Sequence, residues 1–173
     1  HCISVDPYYM IERGRQAGFD HKFLQLARDI NNSMPEFTVS LLDRGMQKLD
    51  IQKKPITVAL LGLAYKKDID DIRESPALEI RELLEQRSDV SLRVFDPHVP
   101  HLSTVASLEE ALTGADVVML ATNHTQLCEA LTPENLKKHG ILFVVDGKNA
   151  LDADGIAKAG VLYLGIGRTR DVA

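Results

Sequence analysis

The chain has 173 residues, of which 45% are hydrophobic and 26% charged, with a formal net charge of −5. This balance is typical of a globular protein with a sizeable core, and the negative charge argues against nucleic acid as a main partner. No apolar run approaches the roughly 20 residues of a membrane-spanning helix, and no signal peptide is visible. Two cysteines make no disulfide framework, so we expect a soluble protein in a reducing, by default cytoplasmic, compartment.

The first nine residues, HCISVDPYY, carry the first candidate for chemistry. A lone cysteine is most often a small buried hydrophobe, and Cys2 has that interpretation open to it. However, Pro7 suits the first position of a helix, which places the Cys2 thiol just before a helix N-terminus, where thiolates are stabilised. Asp6 follows four residues later. Because the chain begins with His1 and such a segment comes at once, we interpret it as part of a longer protein.

Two helices are predicted before residue 50. The first covers residues 7–17 and ends at Gly18. A longer one starts near His21, because apolar residues follow at roughly helical spacing: these are Phe23, Leu24, Ala27, Ile30, Met34, Val39, Leu42 and Met46. Pro35 is expected to kink or break it, with residues 31–33 as a cap for the restart. The polar stretch 50–55 then predicts a boundary between a helical region, 1–50, and a domain over 51–173.

A buried strand is predicted over 56–61, followed by a polar loop over 62–75 and a helix that Pro76 opens and Ser75 caps. The loop holds Asp, Glu, Lys and Arg side chains at high density. Charged loops at the carboxyl ends of strands are where open α/β sheets bind ligands. A solvated surface loop with internal ion pairs is the other interpretation.

Strands and helices alternate from there to the end of the chain. Further strands are predicted over 91–95, 116–121, 141–145 and 161–164, with helices over 107–112, 133–139 and 153–159. This rhythm indicates an α/β fold with a Rossmann-like, doubly wound parallel sheet. The chain contains no GxGxxG, so a complete dinucleotide site of the usual kind is not encoded here.

Several polar residues follow the predicted strands. Asp96 sits where a Rossmann fold puts its ribose-binding acid, but Pro97 makes a turn an equal alternative. His98 and His101 suggest a metal pair, yet no third ligand is evident nearby, so we predict no metal site. Cys128 is interpreted as structural. Segments 122–125 (TNHT, with Asn123 and His124) and 146–149 (DGKN, with Lys148) lie at strand ends, where the first has an open role and the second shapes a loop or contacts ligand.

The loop sequence GLAYKKDIDDIRESP at 62–76 resembles the signature that opens the C-terminal domain of the UDP-glucose/GDP-mannose dehydrogenases. HCISVDPYY resembles the nucleophile segment of that family, with the Cys-x-x-x-Asp spacing intact and the preceding Gly-Gly pair absent. His1 and VDPYY are more similar to the branch that oxidises UDP-N-acetylhexosamines, chiefly UDP-N-acetylmannosamine, than to the UDP-glucose branch. Ser4 departs from the proline that this branch commonly has.

The resemblance implies a UDP-binding Rossmann-like domain preceded by linker and dimerisation helices. It implies NAD as cofactor, a UDP-sugar as substrate, and a homodimer or higher homo-oligomer. The implied reaction oxidises a C6 alcohol to a carboxylate through a cysteine thioester. UDP-glucose 6-dehydrogenase is the alternative, and the isolated piece would be a non-catalytic, dimerising nucleotide-binding module.

Residue roles follow from the same resemblance. Cys2 matches the nucleophile and Asp6 the carboxylate that assists water activation. Lys66 matches a substrate-binding lysine, with Tyr65 as its aromatic neighbour. Arg73 matches an arginine that reaches NAD bound by the other domain. Arg168, in the closing GIGR, matches basic residues near the nucleotide. The alternative for Lys66 and Arg73 is an ion network inside the loop, whose acids are Asp68, Asp70, Asp71 and Glu74.

Overall fold

The computed structural model describes residues 2–170, except the side chains of residues 3 and 4. The described residues form one six-stranded sheet. Its strands are β1 (Ile56–Leu61), β2 (Val90–Phe95), β3 (Val117–Leu120), β4 (Phe143–Asp146), β5 (Leu162–Gly165) and β6 (Arg168–Arg170). The spatial order is β2-β1-β3-β4-β5-β6, with β1 to β5 parallel. This order confirms the predicted α/β fold with a doubly wound sheet. The antiparallel pairing of β6 with β5 was not predicted.

Eight α-helices lie within residues 2–170. They are α1 (Cys2–Gln16), α2 (Lys22–Asn32), α3 (Met34–Lys48), α4 (Pro76–Glu85), α5 (Leu108–Leu112), α6 (Thr125–Ala130), α7 (Pro133–Lys138) and α8 (Ala153–Lys158), with a 3₁₀ turn at Pro100–Leu102. In this part of the chain no helix has both the length and the apolar character needed to cross a membrane. The sequence did not predict α6, which is short and is separated from the end of β3 by only four residues.

The core has two halves, one on each face of the sheet. Val58 and Leu60 of β1 face one half and Ala59 and Leu61 the other, because successive strand residues point to opposite faces. Helices α3 and α4 cover the first face with buried Val39, Leu42, Ile80 and Leu84. Helices α5 to α8 cover the second with Leu112, Leu127, Leu136 and Ile156. Both faces of β1, β3, β4 and β5 are therefore largely buried, which explains their near-continuous apolar runs, whereas the edge strand β2 exposes Ser91 and is only half-buried at Arg93.

Helix α3 packs directly on the sheet. A Cβ atom on Gly45 would lie 2.3 Å from the Phe143 ring, so the absence of a side chain lets the helix backbone approach β4 closely. Leu41 and Leu42 of the same helix are almost fully buried. The end of the helical region therefore shares its core with the sheet. The division of the chain at residue 50 stays a prediction.

The helix boundaries differ from the sequence in two ways. Pro7 lies inside α1 and not at its first position, so that prediction was wrong. Its fixed φ is helical, so the helix continues through it at the cost of one hydrogen bond. The predicted break near Pro35 is confirmed, since α2 ends at Asn32 and α3 begins at Met34. Ser33 does not cap α3 with its side chain, because its hydroxyl donates back to the Ile30 carbonyl.

Candidate functional site

The carboxyl ends of β1, β2 and β3 meet at the start of loop 62–75. Gly62 has φ +83°, and a Cβ there would lie 2.4 Å from the carbonyl oxygen of Thr122. Glycine is thus required both by the left-handed conformation and by the close approach. The Gly62 N–H donates to the Phe95 carbonyl at 3.0 Å, which joins the loop to the end of β2.

Asp96, immediately after β2, fixes the first part of the loop through hydrogen bonds to its backbone. Its carboxylate is completely buried. One oxygen accepts from the N–H groups of Leu63 and Ala64, and the other accepts from those of His98 (2.7 Å) and Val99 (3.0 Å). These contacts use the oxygens that a ribose hydroxyl would need. The structure therefore favours the turn interpretation of Asp96 over the ribose-binding one.

His124, after β3, links Asp96 to the outer part of the loop. Its imidazole is completely buried, and its Nδ1 lies 2.9 Å from the Asp68 N–H. Because a backbone N–H can only donate, Nδ1 is unprotonated and Nε2 carries the proton toward Asp96 Oδ2, 3.1 Å away. Burial alone would raise the pKa of Asp96. The His124 contact and the backbone N–H donors outweigh burial and hold that pKa well below its usual range.

Asp68 is held by the start of α6 as well as by His124. Its two carboxylate oxygens accept from the Thr125 N–H (2.8 Å) and the Thr125 hydroxyl (2.6 Å). These two donors lower the pKa of Asp68. Nearer the start of the loop, the Thr122 hydroxyl donates to the Ala64 carbonyl at 2.6 Å. We call Thr122, His124 and Thr125 the loop clamp. The TNHT segment was noted from the sequence alone, without a partner for any of its residues.

Asp68, His98 and His124 place one nitrogen or oxygen each within 4.8 Å of one another, the spacing of a metal site. The sequence suggested His98 and His101 as a pair instead, with no third ligand nearby. The donor set does not fit a metal ion, because both nitrogens of His124 already have hydrogen-bond partners within the protein. Hydrogen bonds therefore account for the position of His124, while the His98 ring packs against the His124 ring with a centroid distance of 4.6 Å.

A cleft of about 660 Å³ opens beside the loop, at the carboxyl end of the sheet. It is lined by Arg28, Asn31, Asn32, Pro35, Tyr65, Lys66, Glu74, Ser75, Pro76, Glu79 and Lys148. A smaller cavity of about 190 Å³ adjoins it and shares Tyr65 and Lys148. Ser75 supports the cleft, because its hydroxyl donates to the Leu63 carbonyl and accepts from the Ala77 N–H, which is the predicted cap of α4.

Three cationic side chains line this cleft. Lys66 comes from the loop, with its ammonium 5.7 Å from the centre of the Tyr65 ring. Lys148 comes from the turn after β4 and Arg28 from α2. Within residues 2–170, Lys66 forms no ion pair with any acid of its loop, so the ion-network alternative does not describe it. Tyr65 and Lys66 both line the cleft, and so does Arg28, which sequence reasoning missed. The predicted roles of Tyr65 and Lys66 in substrate binding stay predictions.

The turn at 146–149 explains how Lys148 reaches the cleft. Asp146 is buried and accepts from the N–H groups of Lys148 and Leu151 and from the Tyr163 hydroxyl. Asn149 adopts φ +52° and donates to the Ile166 carbonyl. Asp146 and Asn149 thus shape the turn, while the Lys148 side chain lines the cleft. The DGKN motif at a strand end was the available sequence signal.

Helices α1 and α2 are joined next to the cleft. The Arg28 guanidinium lies 5.1 Å from the centre of the Tyr8 ring and donates to Asn32, which in turn donates to the Tyr8 hydroxyl at 3.0 Å. The Asn32 hydrogen bond, followed by Arg28, lowers the pKa of Tyr8. Helix α1 also carries Cys2 and Asp6, exposed and one turn apart on the same face. Their assigned roles stay predictions.

Arg73 and Arg168 lie apart from the described lining of the cleft. Arg73 is 77% exposed and forms a two-point ion pair with Asp71, whose pKa it lowers to about 2. This pair is the kind of contact that the ion-network alternative describes, and the predicted cofactor role of Arg73 stays a prediction. Arg168 begins β6 with its guanidinium 5.9 Å from the centre of the Tyr163 ring. Its predicted contact with substrate stays a prediction.

A doubly wound sheet with a cation-lined cleft at the carboxyl ends of its strands defines a class of α/β domain suited to phosphorylated ligands. Residues 59–153 match the model of the UDP-glucose/GDP-mannose dehydrogenase family, UDP binding domain. The chain belongs to this family, as the loop signature predicted.

Known relatives agree with this assignment. The chain is 34% identical, over 97% of its length, to the UDP-N-acetyl-D-mannosamine dehydrogenase of Pyrococcus horikoshii, and 31% identical, over 86%, to that of Escherichia coli K12. It spans 38% and 36% of those proteins. Solved structures of the P. horikoshii enzyme and of an NDP-N-acetyl-D-galactosaminuronic acid dehydrogenase from Methanosarcina mazei superpose with TM-scores of 0.84 each. The second is 30% identical and is matched over 98% of this chain and 38% of its own.

Proposed function

We propose that this chain is the UDP-binding, C-terminal part of an NAD-dependent UDP-sugar 6-dehydrogenase. Its proposed substrate is a UDP-N-acetylhexosamine, with UDP-N-acetylmannosamine foremost, which it oxidises to the uronic acid. The observation that carries the proposal is the convergence of Tyr65 and Lys66, from the family signature, with Lys148 and Arg28 in one cleft at the end of the sheet.

The charges of the cleft suit a sugar nucleotide. A bound diphosphate carries about two negative charges, and charge-assisted contacts to ammonium and guanidinium groups are the strong hydrogen bonds of such sites. Lys66, Lys148 and Arg28 supply these donors. Glu74 and Glu79 line the same cleft and are acceptors for ribose or sugar hydroxyls. Tyr65 offers an aromatic face beside Lys66.

Cys2 and Asp6 are the proposed catalytic pair. The Cys2 thiolate adds to the C6 aldehyde, forming a C–S bond and a thiohemiacetal. Oxidation of that species gives a thioester. Water, with Asp6 accepting its proton, then cleaves the C–S bond and releases the carboxylate and the free thiol. Cys2 lies on the first turn of α1 and is exposed, so its sulfur is open to a substrate.

NAD, when bound, accepts the hydride in each of the two oxidations. The residues described contain no glycine-rich dinucleotide fingerprint, so the proposal assigns most of the cofactor site to another part of the enzyme. This chain contributes Arg73, an exposed guanidinium of the right charge for a cofactor phosphate. The Arg73 side chain is 77% exposed, so a cofactor phosphate can compete with Asp71 for the guanidinium.

Self-association is part of the proposal. Helix α2 exposes Phe23 (85%), Leu26 (57%) and Ile30 (55%) in a continuous apolar stripe, and within the described chain no α2 residue is buried. A stripe of this kind favours an interface, and a second copy of the chain is the proposed partner. The cell compartment proposed for the enzyme is the cytoplasm.

Calorimetry with UDP tests the binding function of this chain, with GDP as the matched ligand of equal charge. UDP is expected to bind and GDP to bind more weakly. NADH absorbance with UDP-N-acetylmannosamine or UDP-glucose should stay flat for this chain alone, because the cofactor site is assigned elsewhere. An enzyme restored to the length of its relatives should turn over the N-acetylhexosamine faster than UDP-glucose. Absence of UDP binding contradicts the proposal. Faster turnover of UDP-glucose than of the N-acetylhexosamine would favour the alternative, a UDP-glucose 6-dehydrogenase.

A further inference from the structure

The TNHT segment after β3 has no part in the chemistry proposed above, yet it bonds the loop that carries Lys66. We infer that the loop clamp, Thr122, His124 and Thr125, positions Lys66 for the nucleotide diphosphate, with His124 acting through Nδ1. These are positioning residues, since they act through the loop backbone. The inference rests on the proposed function of Lys66 in UDP binding.

The clamp holds the loop on both sides of Lys66. Before it, the Ala64 carbonyl accepts from the Thr122 hydroxyl at 2.6 Å. After it, the Asp68 N–H donates to His124 Nδ1 at 2.9 Å, and the Asp68 carboxylate accepts from Thr125. Both ends of this short span are therefore fixed to the one segment that follows β3. Lys66 itself lies between them, without an ion pair among the described residues.

The backbone conformation of Asp68 indicates that the clamp holds the loop in this position. Asp68 has φ +59°, a left-handed conformation that costs a non-glycine residue free energy and persists where the surroundings over-determine it. Here three hydrogen bonds from the clamp converge on this residue. A loop ordered in advance does not have to be ordered by the ligand, which strengthens binding.

The two nitrogens of His124 have separate tasks that substitution can separate. Nδ1 is attached to Cγ, as the amide oxygen of asparagine is, so His124→Asn keeps an acceptor for the Asp68 N–H and loses the donor to Asp96. Nε2 lies farther out, where the amide of glutamine reaches, so His124→Gln keeps a donor to Asp96 and loses the acceptor for Asp68. If His124 were merely structural, the variant that lowers UDP affinity more would also be the one that lowers stability more.

UDP calorimetry and thermal melting of the two variants test the inference. His124→Gln should weaken UDP binding about three- to ten-fold, the loss of one hydrogen bond that orders the site. His124→Asn should bind within about two-fold of wild type, yet melt at a lower temperature than His124→Gln because the buried Asp96 carboxylate loses its side-chain donor. Equal UDP affinity in His124→Gln and wild type overturns the inference, as does greater weakening in His124→Asn.

An exposed member of the clamp covers the case in which neither His124 variant folds. Thr125→Val removes the hydroxyl bond to Asp68 and should weaken UDP binding about two- to five-fold at unchanged melting temperature. Thr113→Val is its control, since the Thr113 hydroxyl bonds the Glu109 carbonyl in α5. Equal affinities for Thr125→Val and Thr113→Val then count against the clamp.

Hydrogen exchange of the Asp68 amide separates the failure of this inference from failure of the proposed function. The amide should be protected in wild type and in His124→Asn and should exchange faster in His124→Gln. If wild type binds no UDP, the proposed function fails and amide exchange alone decides the clamp. Equal exchange in all three proteins overturns it, and selective loss of protection in His124→Gln supports it.

Discussion

Asp96 Oδ2 and His124 Nε2 lie 3.1 Å apart, and both side chains are completely buried. Asp96 follows β2 and His124 follows β3, whereas β1 lies between these strands in the sheet. Their contact therefore crosses the carboxyl end of β1, next to the start of the loop that follows β1. A charged carboxylate is stable there because several N–H groups point at it.

Acid should destabilise the fold through Asp96. Its folded pKa lies below the unfolded value of 3.8, so its contribution to stability is complete above 3.8 and is lost as pH falls through the lower folded value. Asp96→Asn should cost about 2 to 4 kcal/mol at neutral pH and reduce the acid dependence. Urea unfolding at several pH values measures both effects. Asp154→Asn, at an exposed pair with Arg170, is the control and should change little.

Lys66→Ala should weaken UDP binding about ten-fold, because a charge-assisted contact contributes roughly 1.5 to 3 kcal/mol. The neighbouring Lys67 provides a matched control, since it has the same charge, is exposed and is absent from the described lining of the cleft. Calorimetry of the wild type and both variants compares them directly. Affinities that fall equally for Lys66→Ala and Lys67→Ala would mean that only the net charge of the loop matters.

Arg73→Ala should raise the Michaelis constant for NAD in the full-length enzyme several-fold, with less effect on that for the UDP-sugar. The reason is its exposed position outside the described cleft lining. Asp71→Asn is the matched control, because it releases the guanidinium and should leave NAD binding intact or improved. Steady-state kinetics with each substrate varied in turn provides the measurement. An equal rise in both constants for Arg73→Ala would contradict the assignment to cofactor.

Replacing Cys2 by Ser should abolish the complete oxidation in the full-length enzyme, because no thioester can form. Cys128→Ser should leave the rate within about three-fold. Burial raises the pKa of the Cys128 thiol, which makes it a poor nucleophile. Mass spectrometry after mixing with substrate should find an adduct on Cys2 only. Equal tolerance of both substitutions would return Cys2 to the packing interpretation.

Sedimentation should show that this chain is a dimer at micromolar concentration. Phe23→Glu should shift it toward monomer, since a carboxylate cannot be buried in an apolar interface without cost. Leu142→Glu is the control, an exposed apolar residue next to the start of β4 and distant in sequence from α2. A monomeric wild type, or equal effects of the two substitutions, would argue against the α2 interface.

The sequence predicted the parallel strands and the helices between them because their apolar runs and caps are local signals. Ser75 and Pro76 are an example, since a hydroxyl followed by proline marks a helix start on its own. Three residues of antiparallel β6 carry no such pattern, because Arg168 and Arg170 at a sheet edge resemble any polar loop. Pro7 was misleading because its local signal is ambiguous. The helical φ of proline fits positions beyond the first position of a helix as well.

The candidate site was predicted where one continuous segment carries it. Tyr65 and Lys66 lie in the signature and line the cleft together. The parts played by Arg28 and the loop clamp could not be predicted, because their partners in the site lie far from them in the sequence. His124 accepts from the Asp68 N–H and contacts the Asp96 carboxylate, and only the strand order brings these three residues together. Long-range juxtaposition of this kind leaves no mark in local sequence.

The break at Ser33 has a mechanical consequence for the cleft. One wall, formed by the loop and the turn after β4, is built on the sheet, to which α3 is also anchored through Gly45 and Phe143. The opposite wall, with Arg28 and Asn32, belongs to α2, which has no buried residue in the described chain. A single residue joins α2 to the anchored helix. A rotation of α2 about Ser33 would therefore move the Arg28 guanidinium relative to the wall that carries Lys66 and Lys148, and would change the width of the cleft.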